Sequence, residues 1–140
     1  PRAALIDALT EACAGTVEAL LQAGRMTRLP LKAAGQGDLS GQGMEAFDAM
    51  RHALACAGYH RQDDFARVLL MAAPRLRTAG SAAVFSTRLT PAIADAAIAL
   101  SRMGARMRYT LVTAEAPSEE QGKLLDLLRV SGLEALHVRA

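Results

Sequence analysis

The segment "STRLTP", Ser86 to Pro91, gathers two hydroxyls, Ser86 and Thr87, with the Arg88 guanidinium just ahead of a Thr90-Pro91 pair. Ligands of open α/β sheets bind beyond the carboxyl ends of strands, and a helix N-terminus there offers free N–H groups to an anion. A carboxylate or phosphate docked at this point would meet Arg88, with Ser86 and Thr87 donating hydrogen bonds. The competing reading makes Thr90 a helix cap and Arg88 a solvated charge.

A second candidate is "AAGQGDLSGQG", Ala33 to Gly43, where Gly35, Gly37, Gly41 and Gly43 make a weak anion-loop candidate between a strand-like and a helix-like stretch. Its G-x-G-x-x-x-G-x-G spacing matches neither the dinucleotide fingerprint nor the P-loop, and no Lys follows in the position a P-loop needs. Asp38 would also repel a phosphate at the centre of the loop. These features favour a flexible connection over a phosphate cradle.

His52 and Cys56 stand four apart and share a helix face, a spacing open to a thiol–imidazole nucleophile or to half of a metal site. No C-x-x-C or H-x-x-x-H partner completes a four-ligand set, so the pair reads as a packed thiol beside a surface imidazole. His60 and His137 are each isolated in sequence. Asp63-Asp64 and Glu119-Glu120 stand at helix starts, where negative charge offsets the helix dipole. Arg102, Arg106 and Arg108 read either as a contact for an acidic partner or as a solvated face. No catalytic residue emerges from this survey.

The elements that must position these residues follow from hydrophobic spacing. Leu5, Ile6, Leu9, Cys13, Val17, Leu20 and Leu21 recur at steps of three and four, predicting a helix over Ala3–Ala23 with Gly24 as its stop. Arg25–Leu31 reads as a short strand that Pro30 confines to a sheet edge or a strand end. A helix over Met44–Ala57 follows, with Met44, Phe47, Met50, Leu54 and Ala57 on its apolar side. The next starts near Asp63 or Asp64 and carries Phe65, Val68, Leu69 and Ala72 inward.

Ser81–Ser86 has the short apolar form of a parallel strand buried on both faces. Thr90-Pro91 then opens a helix through Ile93, Ala97, Leu100 and Met103 to Gly104. Arg106–Ala114 is a strand. Ser118 and Gln121 form a capping box for a helix through Leu124, Leu125, Leu127 and Leu128, and Leu133–Val138 closes as a strand. This alternation predicts an α/β, Rossmann-like three-layer sandwich with a mostly parallel sheet, in one domain over residues 1–140. Because the long first helix needs a sheet to cover its apolar face, a strand upstream of Pro1, in a longer parent protein, is expected to complete the fold.

The 140 residues carry 16 basic and 14 acidic side chains, a net charge of +2 with no basic stripe, which argues against nucleic acid as a partner. Aromatic residues make up 4% of the chain and Trp is absent, so a base-stacking platform is not expected either. Cys13 and Cys56, a lone pair in helical patterns, read as reduced thiols of a cytoplasmic protein. No signal peptide or spanning segment is visible, so this segment is expected to make no membrane contact.

The run from Glu45 to Glu115, and in particular "DDFARVLLMAAPRLRTAGSAAVFSTRLTPAIADAAIALSRMGARMRYTLVTAE", resembles the C-terminal part of the domain-of-unknown-function 58 family, which has a von Willebrand factor A-like fold. "EACAGTVEALLQAG" is similar to the helix that follows the first strand in that family. Domains of this fold hold a divalent metal through a D-x-S-x-S motif after the first strand, a Thr, and an Asp after the fourth strand. The resemblance places the first motif before Pro1 and the Asp near Ser86, Thr87 and Arg88, where an Arg stands instead of a ligand. No cofactor is therefore expected, and Mg²⁺ only where an upstream motif completed the site. The resemblance implies a non-enzymatic protein-interaction or assembly module, partnered by an AAA-type ATPase of the MoxR class, in a parent protein that is cytoplasmic or membrane-tethered. The alternative is a Rossmann-like enzyme or small-ligand domain that binds an anionic or nucleotide ligand at the strand ends.

Overall fold

A computed structural model of the chain describes residues 2–29, 39–56, 64–76 and 78–140. These residues form a mixed α/β protein that divides into two compact units, Ile6–Arg61 on one side and Gln62–Ala140 with Pro1–Leu5 on the other.

In the Ile6–Arg61 unit, the helix α1 (Arg2–Gln22) ends where the spacing places its stop. Gly24 adopts φ +72° and donates its N–H to the Leu21 carbonyl at 3.0 Å, while the Arg25 N–H reaches the Leu20 carbonyl at 3.0 Å. This pair of bonds is the left-handed helix terminus that glycine permits. The strand β1 (Thr27–Leu29) then pairs antiparallel with β2 (Leu39–Gly41), in register Thr27↔Gly41 and Leu29↔Leu39.

That hairpin corrects the sequence reading twice. The first predicted strand belongs to a separate antiparallel pair, not to the parallel sheet, and part of the glycine-rich stretch is strand. Gly35 and Gly37 of the anion-loop candidate lie outside the described residues, as does Pro30. A 3-10 turn (Met44–Ala46) leads into α2 (Phe47–Cys56), so the predicted helix begins three residues late and Met44 is exposed rather than apolar-side packed. Val17, Leu21 and Met50 form the core of this unit, with Leu29, Leu39, Ala46 and Phe47 packed against it.

The other unit runs α3 (Phe65–Met71), α4 (Ala73–Leu76), β3 (Ser81–Ser86), α5 (Pro91–Ser101), β4 (Arg106–Thr113), α6 (Glu119–Val130) and β5 (Glu134–Arg139). The three strands make a parallel sheet in chain order, with Ala83 opposite Arg108 and Arg108 opposite Glu134. Strands that follow chain order through crossovers of one hand have their connecting helices on one face. Accordingly α5 packs on α6, and α3 packs on α5. Val84, Met107, Tyr109, Leu111 and Ala135 point into that helical layer and share one core with Ile93, Ala97, Leu125 and Leu128.

Helix starts match their sequence signals. Asp64 accepts from the Ala66 N–H at 3.1 Å, Thr90 caps α5 with Pro91 at its first position, and Ser118 and Gln121 complete the capping box of α6. Three side chains predicted to be inward depart from the pattern. Val68, Met103 and Leu127 are exposed, and Ala66 takes a buried position on α3. Strand β3 is not buried on both faces: Ser81 and Ala83 are exposed, because β3 is an edge strand with β4 as its sole paired neighbour among the described residues.

Candidate functional site

The carboxyl end of β3 is a closed knot of hydrogen bonds. Ser86, buried, donates its hydroxyl to the Arg88 carbonyl at 2.7 Å and accepts the Arg88 N–H at 3.1 Å, a hydroxyl turn that folds the chain back at the end of the strand. Tyr109, fully buried on β4, donates its phenol to the same Arg88 carbonyl at 2.8 Å. Burial pushes the Tyr109 phenol up to about 12, against the opposing pull of the Ser86 hydroxyl and the Arg88 charge. Two buried hydroxyls thus satisfy one backbone carbonyl, which holds the Arg88 main chain in place. Thr90 is likewise committed, accepting the Ile93 N–H at 3.3 Å.

Beside these stand Thr87, half-buried, and the Arg88 side chain. Arg88 is exposed, and its guanidinium makes no ion pair or hydrogen bond with another described residue. The four residues singled out by sequence therefore do come together, but in different states: Ser86 and Thr90 are committed to the local fold, Thr87 is half-buried, and Arg88 is exposed. Sequence reasoning missed Tyr109, whose only signal was its alternation with Met107 and Leu111 on the buried face of a strand.

At the neighbouring strand ends, Thr113 Oγ1 donates to the Glu115 carbonyl at 2.5 Å and lies 2.6 Å from His137 Nε2. A threonine has one hydrogen to give, so with that hydrogen on the Glu115 carbonyl the imidazole donates through Nε2–H. His137, isolated in sequence, is a partner of Thr113 across the sheet. The Arg139 Nε–H reaches the Ala114 carbonyl at 3.3 Å and completes this second turn.

The other candidates resolve separately. Arg108 forms a two-pronged pair with Glu134, Nε to Oε2 at 3.1 Å and Nη2 to Oε1 at 3.2 Å, directly across the β4–β5 register. Arg102 caps α5 at its C-terminus. Gly41 serves packing, since a Cβ there would collide with the Ala46 Cβ. At Gly43 the collision would be with the Glu45 carboxylate. His52 and Cys56 both lie on α2, and His60 and Asp63 are outside the described residues. Cys13 carries a free thiol that burial raises to about 11, an unreactive setting for a nucleophile.

No group of three or more His, Cys, Asp or Glu side chains converges among the described residues. Among the same residues, no helix is long and apolar enough to cross a membrane. No family model matches the chain, and neither a curated protein nor a solved structure matches it significantly.

Proposed function

We propose that the chain is a protein-interaction module of von Willebrand A-like type that engages an acidic partner surface through the carboxyl end of β3. The observation that carries this reading is the state of the Arg88 segment. Its main chain is held by two buried hydroxyls, and its side chain is exposed, with no counter-charge paired to it among the described residues. A backbone held in this way, presenting a cation that no described residue pairs, suits docking, because little loop ordering remains to oppose association. It does not suit nucleophilic catalysis, since the Ser86 hydrogen is already given to the Arg88 carbonyl. The parallel three-stranded sheet is compatible with the Rossmann-like class to which the von Willebrand A-like fold belongs. The partner class suggested by the resemblance is a MoxR-class AAA ATPase.

Binding to an ATPase of that class, measured by surface interferometry, tests the proposal. Arg88→Glu is expected to weaken the complex about tenfold, the effect of reversing one charge at an interface rim, with an unchanged melting temperature. Equal binding by both proteins would remove Arg88 from the interface. A parallel thermal scan with ATP, GTP, NAD and Mg²⁺ separates the small-ligand alternative. A ligand at 100 times its dissociation constant adds about 2.7 kcal/mol of stability, and such a shift would favour a ligand domain instead.

A further inference from the structure

Charge in the Gln62–Ala140 unit is sorted by end. Helices α5 and α6 each run back from the carboxyl end of one strand to the start of the next, and α3 with α4 brings the chain to the start of β3. Carboxylates gather at the carboxyl end of the sheet, where Glu115 follows β4 and Glu119 and Glu120 stand in the first turn of α6. The amino end carries the opposite charge. Arg102 closes α5 and Arg106 opens β4, both exposed and neither paired with a carboxylate among the described residues. Asp126 and Glu134, the carboxylates of this unit placed toward the same end, are taken by Arg129 and Arg108. The sequence carries the same bias: between Phe65 and Ala114, seven arginines stand against one carboxylate, Asp95.

Apolar side chains project at the same end. Val130, the last residue of α6, is 87% exposed, and Met103, two residues past α5, is 42% exposed. Leu70 and Met71, which end α3 just before α4, are exposed as well. Apolar tips set among cations suit the boundary of a lipid bilayer, where the tips enter the acyl edge and the arginines meet phosphates.

We propose that the amino end of the parallel sheet rests on an anionic lipid surface, with Arg102 and Arg106 on headgroup phosphates and Met103 and Val130 entering the acyl boundary. The exposed apolar tips belong to the ends of three separate helices. A fluid surface fits itself to each tip, whereas a single bound peptide needs one continuous groove. Glu115, Glu119 and Glu120, at the other end, then face away from the anionic lipid, so charge complementarity orients the unit. Arg88, at the carboxyl end of β3, stays open to a protein partner. Docking of this kind needs no spanning helix, the feature on which the sequence expectation of no membrane contact rests.

Co-sedimentation of the 140-residue protein with vesicles is the test. The protein is expected to bind vesicles of phosphatidylcholine mixed with phosphatidylglycerol and not vesicles of phosphatidylcholine alone, and added salt should release it. Arg106→Glu is expected to weaken binding about tenfold, the effect of reversing one cation near such a surface, while leaving circular dichroism unchanged because the side chain is exposed. Lys123→Glu makes the same change of charge on an exposed site near the start of α6, and it is expected to bind as the parent does. Because the chain has no Trp, Val130→Trp supplies a single indole whose emission should shift to the blue on the mixed vesicles, while that of Lys123→Trp should not. No binding to the mixed vesicles, equal binding to the neutral ones, equal binding by Arg106→Glu, or an unshifted Val130→Trp emission would each overturn the proposal. So would a protein that ignores both vesicles and binds polyglutamate, a result that would give this end to an acidic protein instead.

Discussion

At the scale of single residues, the Arg88 carbonyl is the pivot of the candidate site, because two side chains from different strands spend their only hydrogens on it. Tyr109→Phe removes one of those bonds and keeps the ring in the core. A loss of about 1 kcal/mol is expected in urea unfolding, the ordinary net worth of such a bond. The same phenol sets a pH dependence. Its folded-state value, about 12, lies above the ordinary 10.0, so the folded protein keeps a proton that the unfolded chain gives up. The stabilisation is whole below pH 10 and is lost as the pH rises from 10 toward about 12. The Cys13 thiol acts in the same sense between 9.0 and about 11. Unfolding midpoints measured against pH should therefore fall in alkali, and less steeply in Tyr109→Phe. An equal slope in both proteins would detach the effect from Tyr109.

At the scale of elements, the hairpin of β1 and β2 shows how a residue chosen for close approach can resemble one chosen for ligand binding. Gly41 closes the hairpin against the 3-10 turn at Ala46, so its missing side chain is a packing requirement. Gly41→Val is expected to cost about 1–3 kcal/mol, the usual penalty of overpacking, and thermal unfolding followed by circular dichroism would register it. A neutral result would mean that the β1–β2 pair can move away from Ala46 at no cost. The starts of α3, α5 and α6 were legible in sequence because caps are local. Asp64, Thr90 and Ser118 act on N–H groups two or three residues ahead, whatever the rest of the chain does. The pairing of Leu39–Gly41 with Thr27–Leu29 was not legible, since a three-residue strand is too short to show a period.

At the scale of the molecule, each unit has its own core: Val17, Leu21 and Met50 in one, and the sheet-centred cluster around Tyr109, Leu111 and Leu128 in the other. Leu111→Ala and Met50→Ala each delete a fully buried side chain and are expected to cost about 2–5 kcal/mol. Hydrogen exchange read by mass spectrometry should lose protection chiefly within Gln62–Ala140 for the first and chiefly within Ile6–Arg61 for the second. Uniform loss across both units in either variant would mean that the two unfold as one. By itself the sequence determined the α/β class, the capped starts of α3, α5 and α6, and the strand-end position of Ser86 to Thr90, because these depend on periodicity and on contacts a few residues apart. Only the tertiary structure decided that the first strand belongs to a separate hairpin, that Arg108 meets Glu134, that Thr113 meets His137, and that Tyr109 holds Arg88. Each of those partnerships joins residues about ten or more positions apart, and sheet register, set by the packing of the whole core, is what brings them within bonding distance.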